Sequence, residues 1–106
     1  MFARKVYMRL KPNSVAQFTE KLESEVLPVL RKQNRFKDEI TFVGPSGTEA
    51  FGISLWDTAE SAERYNREAY PSVSRTLAPF SDGVPHVKTF NVADSTFHKI
   101  ASALAA

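Results

Sequence analysis

A chain of 106 residues has room for one core and reads as a single domain over 1–106. Hydrophobic residues at 42% and charged residues at 25% are the balance of an ordinary globular protein, and a net charge of +2 from 14 basic and 12 acidic residues leaves no basic patch for nucleic acid or a membrane surface. The lack of cysteine excludes disulfides, thiolate metal sites and cysteine nucleophiles.

The first residues, Met1-Phe2-Ala3-Arg4-Lys5, carry charge where a signal peptide needs an apolar run. No stretch approaches the roughly 20 apolar residues of a membrane span, so the expected location is the cytoplasm. Residues Phe2 to Leu10 read as a strand closed by Lys11-Pro12-Asn13. Ser14 then starts a helix, with Gln17 three residues on in position to complete a capping box. Val15, Phe18, Leu22 and Val26 recur on its apolar side, and Pro28 predicts a kink or short break because it lacks an amide hydrogen and crowds the carbonyl of Ser24.

A second strand occupies Phe36 to Val43, and Gly44-Pro45-Ser46-Gly47 is a hairpin turn leading into a third strand from Ala50 to Trp56. That turn has neither the lysine nor the helix of a phosphate loop. Asp57 is the expected cap of the next helix, supported by Glu60, with Ala62, Tyr65 and Ala69 on the inner face. Pro71 interrupts this run, and Ser72 to Phe80 continue as a shorter turn or helix. After the loop Ser81-Asp82-Gly83-Val84-Pro85, a fourth strand runs from Val87 to Val92. Phe97, Ile100, Ala101 and Leu104 then space an apolar stripe for a short C-terminal helix, which needs something to dock on.

The order is the β-α-β-β-α-β of a ferredoxin-like α+β domain with an antiparallel sheet and an extra terminal helix. Two helices cover one sheet face. The other face is expected to be apolar too, because neighbouring strand residues that point opposite ways are both apolar: Val6 with Tyr7, Phe42 with Val43, Leu55 with Trp56, and Phe90 near Val87. A sheet apolar on both sides calls for a second cover, and a partner sheet in a two-fold homodimer supplies one. The rival is a monomer whose C-terminal helix folds over that face.

The run Phe51-Gly52-Ile53-Ser54-Leu55-Trp56-Asp57-Thr58-Ala59-Glu60-Ser61-Ala62-Glu63 resembles the antibiotic biosynthesis monooxygenase-like family. So do the opening strand into Lys11-Pro12-Asn13 and the last strand. The resemblance implies a dimeric α/β barrel, in which two four-stranded sheets face each other. It also implies kinship with cofactor-free quinol and polyketide oxygenases and with haem-degrading enzymes. The haem-degrading branch uses an Asn on the first strand, a Trp in the second helix and a His near that helix's end. Here the strand has no Asn, Tyr65 stands nearest the Trp position, and Arg75 stands about where the His would. Quinol-oxidising relatives carry histidines in the same helical region, and none occurs between Asp57 and Phe80. The resemblance implies monooxygenation of an aromatic or quinol-type compound without a cofactor, although the typical catalytic residues are missing, with binding of a small apolar ligand as the non-catalytic alternative.

The candidate catalytic residues are His86, at the start of the last strand, and Tyr65. Trp56, Tyr65, Tyr70, Tyr7 and Arg75 are the candidate walls of a pocket for a flat ligand, although Trp56 also reads as an ordinary core residue. His98 reads as a surface residue, and two histidines without an acidic cluster make no metal signature. RNA-recognition motifs share this strand order, and Val6-Tyr7-Met8-Arg9 and Phe51-Gly52 match parts of their pattern. Glu49, Ala50 and Ile53 depart from it, and no nucleic-acid partner is expected.

Overall fold

A computed structural model describes residues 1–100. Four antiparallel strands form one sheet in the order β2-β3-β1-β4: β1 (Phe2–Arg9), β2 (Phe36–Val43), β3 (Glu49–Trp56) and β4 (His86–Asn91). The connections on one face are α1 (Val15–Lys21), α2 (Leu27–Arg31), α3 (Ala59–Glu68) and α4 (Tyr70–Leu77), followed by a 3₁₀ turn over Ala78–Phe80. This is the α+β ferredoxin-like arrangement expected from the sequence. Within one chain the sheet is open, so a barrel would require a second copy.

Register decides which side chains meet the helices. Arg4 pairs with Ser54, Val6 with Gly52 and Met8 with Ala50, and these residues face the helices. Lys5, Tyr7, Phe51, Ile53 and Leu55 alternate with them and therefore point to the free face. In β2 the register shifts between Phe36 and Asp38, so Lys37 is an extra residue. Beyond that bulge Glu39 pairs with Ser54 and Thr41 with Gly52, which turns both toward the helices. Ile40 and Phe42 go to the free face, where they are 55% and 43% exposed, and Phe90 of β4 joins them at 42%.

The break at Pro28 takes a definite form. Leu22–Val26 is a π-helical turn between α1 and α2, and the Leu27 amide donates to the Leu22 carbonyl. Widening the helix before the proline accommodates a residue that cannot donate, placed in the first turn of α2 where no donor is needed. Val26 is buried and Leu22 packs against the core. The hairpin turn closes with the Gly47 amide on the Gly44 carbonyl at 2.9 Å, and Gly47 takes the left-handed φ of 75° that glycine tolerates.

Both expected caps need correction. Ser14 precedes α1, but its hydroxyl donates to the Lys11 carbonyl at 2.6 Å and makes no cap hydrogen bond. The cap of α3 is Thr58 rather than Asp57: its Oγ1 accepts from the Ser61 amide at 3.2 Å, while Asp57 pairs with Lys37 at 3.5 Å. The described part of the C-terminal segment, through Ile100, is not helical. The Ser95 hydroxyl accepts from the Phe97 and His98 amides, and Phe97 is 80% exposed, so no docked apolar stripe drives helix formation there. Ala101 and Leu104 of that stripe lie outside the described residues. No described helix is long and apolar enough to cross a membrane.

Candidate functional site

A cleft open to solvent at its mouth lies between the sheet and the helices. It exists because β3 presents its smallest side chains there: Ala50, Gly52 and Ser54 face the helices in succession. The roof comes from Leu22 and Val26 of the π-helical turn, Tyr65 of α3, and Tyr70 and Val73 of α4. Its walls are mostly apolar, with a few polar groups converging from the floor, as small-molecule sites commonly are.

Arg4 dominates these groups. Its residue is 3% exposed, and one guanidinium nitrogen donates to Asn66 Oδ1 at 2.8 Å. The guanidinium carbon lies 4.0 Å from the Tyr70 ring centroid and 5.3 Å from that of Tyr65. Among the described residues no carboxylate comes within ion-pair distance of it. Burial lowers its pKa from the usual arginine value, and the two tyrosines oppose that shift, but a guanidinium stays charged at any working pH. Among the described residues this buried cation meets a neutral amide and two tyrosines but no carboxylate, which leaves it capacity for an anion.

Glu39 enters the same cleft from the edge strand β2. Thr41 Oγ1 donates to its Oε1. A Cβ on Gly52 would lie 3.2 Å from that Oε1 and 3.4 Å from Thr41 Oγ1, so glycine provides the floor space over which the carboxylate lies. Burial raises the Glu39 pKa, and the Thr41 hydrogen bond only partly offsets this. Through the register, Glu39, Ser54 and Arg4 form one row across three strands. Ser54 Oγ between them accepts from Trp56 Nε1 at 2.9 Å. Tyr65 lines the cleft opposite, with its hydroxyl pKa pushed up to about 12 mainly by burial, so at neutral pH it is a proton donor.

The residues singled out in the sequence fall in three places. Tyr65 and Tyr70 line the cleft, with ring centroids 6.2 Å apart. Trp56 is fully buried behind Tyr65, its ring centroid 5.2 Å away, and it backs the wall without forming it. Tyr7 and His86 lie together on the opposite sheet face, where the Tyr7 hydroxyl donates to Glu49 Oε2 at 3.0 Å and the two rings are 6.5 Å apart. The structure thus separates His86 from Tyr65, because Val87, not His86, shares the helix-facing side of the pair with Val6. Arg75 is exposed on α4, outside the cleft. Arg4 and Glu39 are the groups that sequence reading missed. Strict alternation from Val6 and Met8 places Arg4 on the inner face, which was a readable signal, whereas Glu39 turns inward only because of the bulge at Lys37. Among the described residues no three His, Cys, Asp or Glu side chains gather as a metal site.

No known family profile matches the chain, and no curated protein matches it in sequence. Solved structures do match in fold. A monooxygenase from Streptomyces coelicolor (ActVA-Orf6), in complex with nanaomycin D, superposes with a TM-score of 0.76 at 14% identity over 92% of both chains. SnoaB from Streptomyces nogalater, described as a cofactor-independent oxygenase and solved as a point mutant, gives 0.74 at 10% identity over 90% of this chain and 95% of its own. The Nitrosomonas europaea protein NE2512, of unknown function, gives 0.73 at 12% identity over 90% and 91%. At such identities the likeness is one of fold: this chain has the fold seen in antibiotic biosynthesis monooxygenases, the group that its Trp56-Asp57 strand-to-helix run resembles.

Proposed function

We propose that the cleft binds a flat aromatic compound whose oxygen ionises or develops negative charge, and that the chain oxygenates it with dioxygen and no cofactor. The observation that carries this reading is Arg4, a buried guanidinium in an aromatic-walled cleft with no carboxylate partner among the described residues. An anthrone-type compound has the matching chemistry. Loss of a proton from its methylene carbon gives an anion whose charge spreads to the oxygen across the ring, where Arg4 stabilises it. That anion supplies the electrons that reduce dioxygen, and a carbon–oxygen bond forms to give a hydroperoxide. Loss of the second methylene proton breaks the O–O bond, leaving a carbonyl and one molecule of water. The carbon is oxidised, dioxygen is reduced, and no further reductant is needed. The oxygenases that share this fold support the same reading.

Oxygen-electrode measurements with anthrone, and detection of anthraquinone as product, test it. Arg4→Met should lower uptake by roughly a hundredfold, the usual scale for losing one oxyanion-stabilising group. His86→Ala should leave uptake unchanged, because that residue lies on the other sheet face. Anthrone binding without oxygen uptake would make the chain a carrier of apolar aromatics instead.

We also propose a homodimer through the free sheet face. Ile40 and Phe42 on β2 and Phe90 on β4 are exposed there, on the two edge strands of one surface, and a second copy's sheet would cover them and close a barrel.

A further inference from the structure

The oxygenation scheme leaves one step without an agent, the removal of a proton from carbon. We propose that Glu39 is the general base for this step, working with Arg4 as an acid-base and oxyanion pair on a carbon acid whose charge is delocalised to an oxygen across one ring. The inference rests on the aromatic-cleft reading above but does not need dioxygen.

The geometry carries it. Glu39 and Arg4 occupy the two ends of a row whose middle is Ser54, so their backbones are roughly 10 Å apart across two strand spacings. Both side chains line the cleft, and no ion pair joins them. A ring held in the cleft between those two ends would present its acidic carbon to Glu39 and its oxygen to Arg4. Gly52 leaves the Glu39 carboxylate free to lie over the strand, and Thr41 fixes its orientation. Burial that destabilises the carboxylate strengthens it as a base, because its pKa moves toward the operating pH. Atoms and electrons balance. The C–H bond breaks, the proton passes to a Glu39 oxygen, and the electron pair moves through the ring to the oxygen beside Arg4. Nothing is oxidised or reduced. Once the Glu39 proton exchanges with solvent, reversal returns a solvent hydrogen to the carbon.

An inward-facing charge on an edge strand also discourages edge-to-edge strand pairing, and a role limited to that would not touch hydrogen exchange at a bound carbon acid. The experiment is therefore deuterium incorporation into the anthrone methylene under strictly anaerobic conditions, read by mass spectrometry, with anthrone binding measured separately by equilibrium dialysis. The wild-type protein should accelerate incorporation over buffer. Glu39→Gln keeps the shape and can still accept from Thr41, and it should lose about a hundredfold or more of that acceleration while binding anthrone as before. Glu39→Asp, which keeps a carboxylate, should recover part of it. If Glu39→Gln with anthrone bound exchanges at the wild-type rate, or wild type with anthrone bound is no faster than buffer, the inference is wrong and the cleft reading stands. If wild type does not bind anthrone, the cleft reading fails and takes this inference with it.

Discussion

Two opposite charges share the floor of the cleft without meeting, and each bears a different cost. Arg4 is offset by Asn66 and by the faces of Tyr65 and Tyr70. Among the described residues Glu39 has Thr41 alone as a hydrogen-bond partner, and burial disfavours its ionised form in the fold relative to the unfolded chain. Its folded pKa lies above the ordinary glutamate value, so the native state binds the proton more tightly. The stability penalty is absent below the unfolded pKa, grows as pH rises through the folded pKa, and is constant above it. Glu39→Gln removes the penalty. Thermal melts should show the variant more stable than wild type at about pH 7.5, with the gain gone at about pH 4, near or below the ordinary glutamate pKa. A gain that persisted at the lower pH would mean that the carboxylate's charge is not its cause. Stability and catalysis are thus expected to trade against each other at this residue, as is common where a site holds a destabilised group.

At the scale of elements, the entry into α3 sets where Tyr65 and Asn66 point, since both lie within two turns of its start. Thr58 holds that entry with a side chain that accepts from the Ser61 amide, while its Oγ1 and the Ser61 hydroxyl oxygen lie 2.9 Å apart. Thr58→Ala should cost about 1 kcal/mol in denaturant unfolding, the usual loss of a cap. Asp57→Ala should cost less, because its ion pairs at 3.5 and 3.9 Å are partly solvated. The reverse ranking would restore the cap read from sequence. An acidic residue near the helix start and a Glu three places on matched the capping pattern at Asp57, whereas Thr58 has Ser61 in that place and did not match it. The succession of strands and helices was legible because their periodicities differ clearly. Pro28 signalled a break but not its form, since a π-helical turn depends on how the flanking residues pack. The tyrosines of the cleft followed from helical spacing. Arg4 was masked by its charge, and Glu39 by a bulge that local sequence does not announce.

At the scale of the molecule, the two faces of the sheet have separate tasks. One face, with the helices, encloses the cleft. The other carries the stacked pair Phe42 and Phe51, with ring centroids 4.9 Å apart, and the Lys5 ammonium 4.7 Å from the Phe51 ring. Lysines there can keep their charge in water while their stems cover apolar surface. Covering Ile40, Phe42 and Phe90 on two copies would stabilise association by about 0.7–1.5 kcal/mol for each side chain, since about half of each is already buried in one chain, before the cost of lost translation and rotation. Light scattering after size exclusion should therefore give wild type a mass of twice 11.9 kDa. Phe42→Glu places a charge in the proposed interface and should yield a folded single copy, since Phe42 is already 43% exposed in one chain. A wild-type protein that stays single at high concentration would rule the barrel out. Because the cleft opens on the other side of the sheet, the single-copy variant should still bind anthrone. Loss of binding together with dissociation would instead mean that the second copy holds the helices over the cleft, and assembly and site would then be one property of the fold.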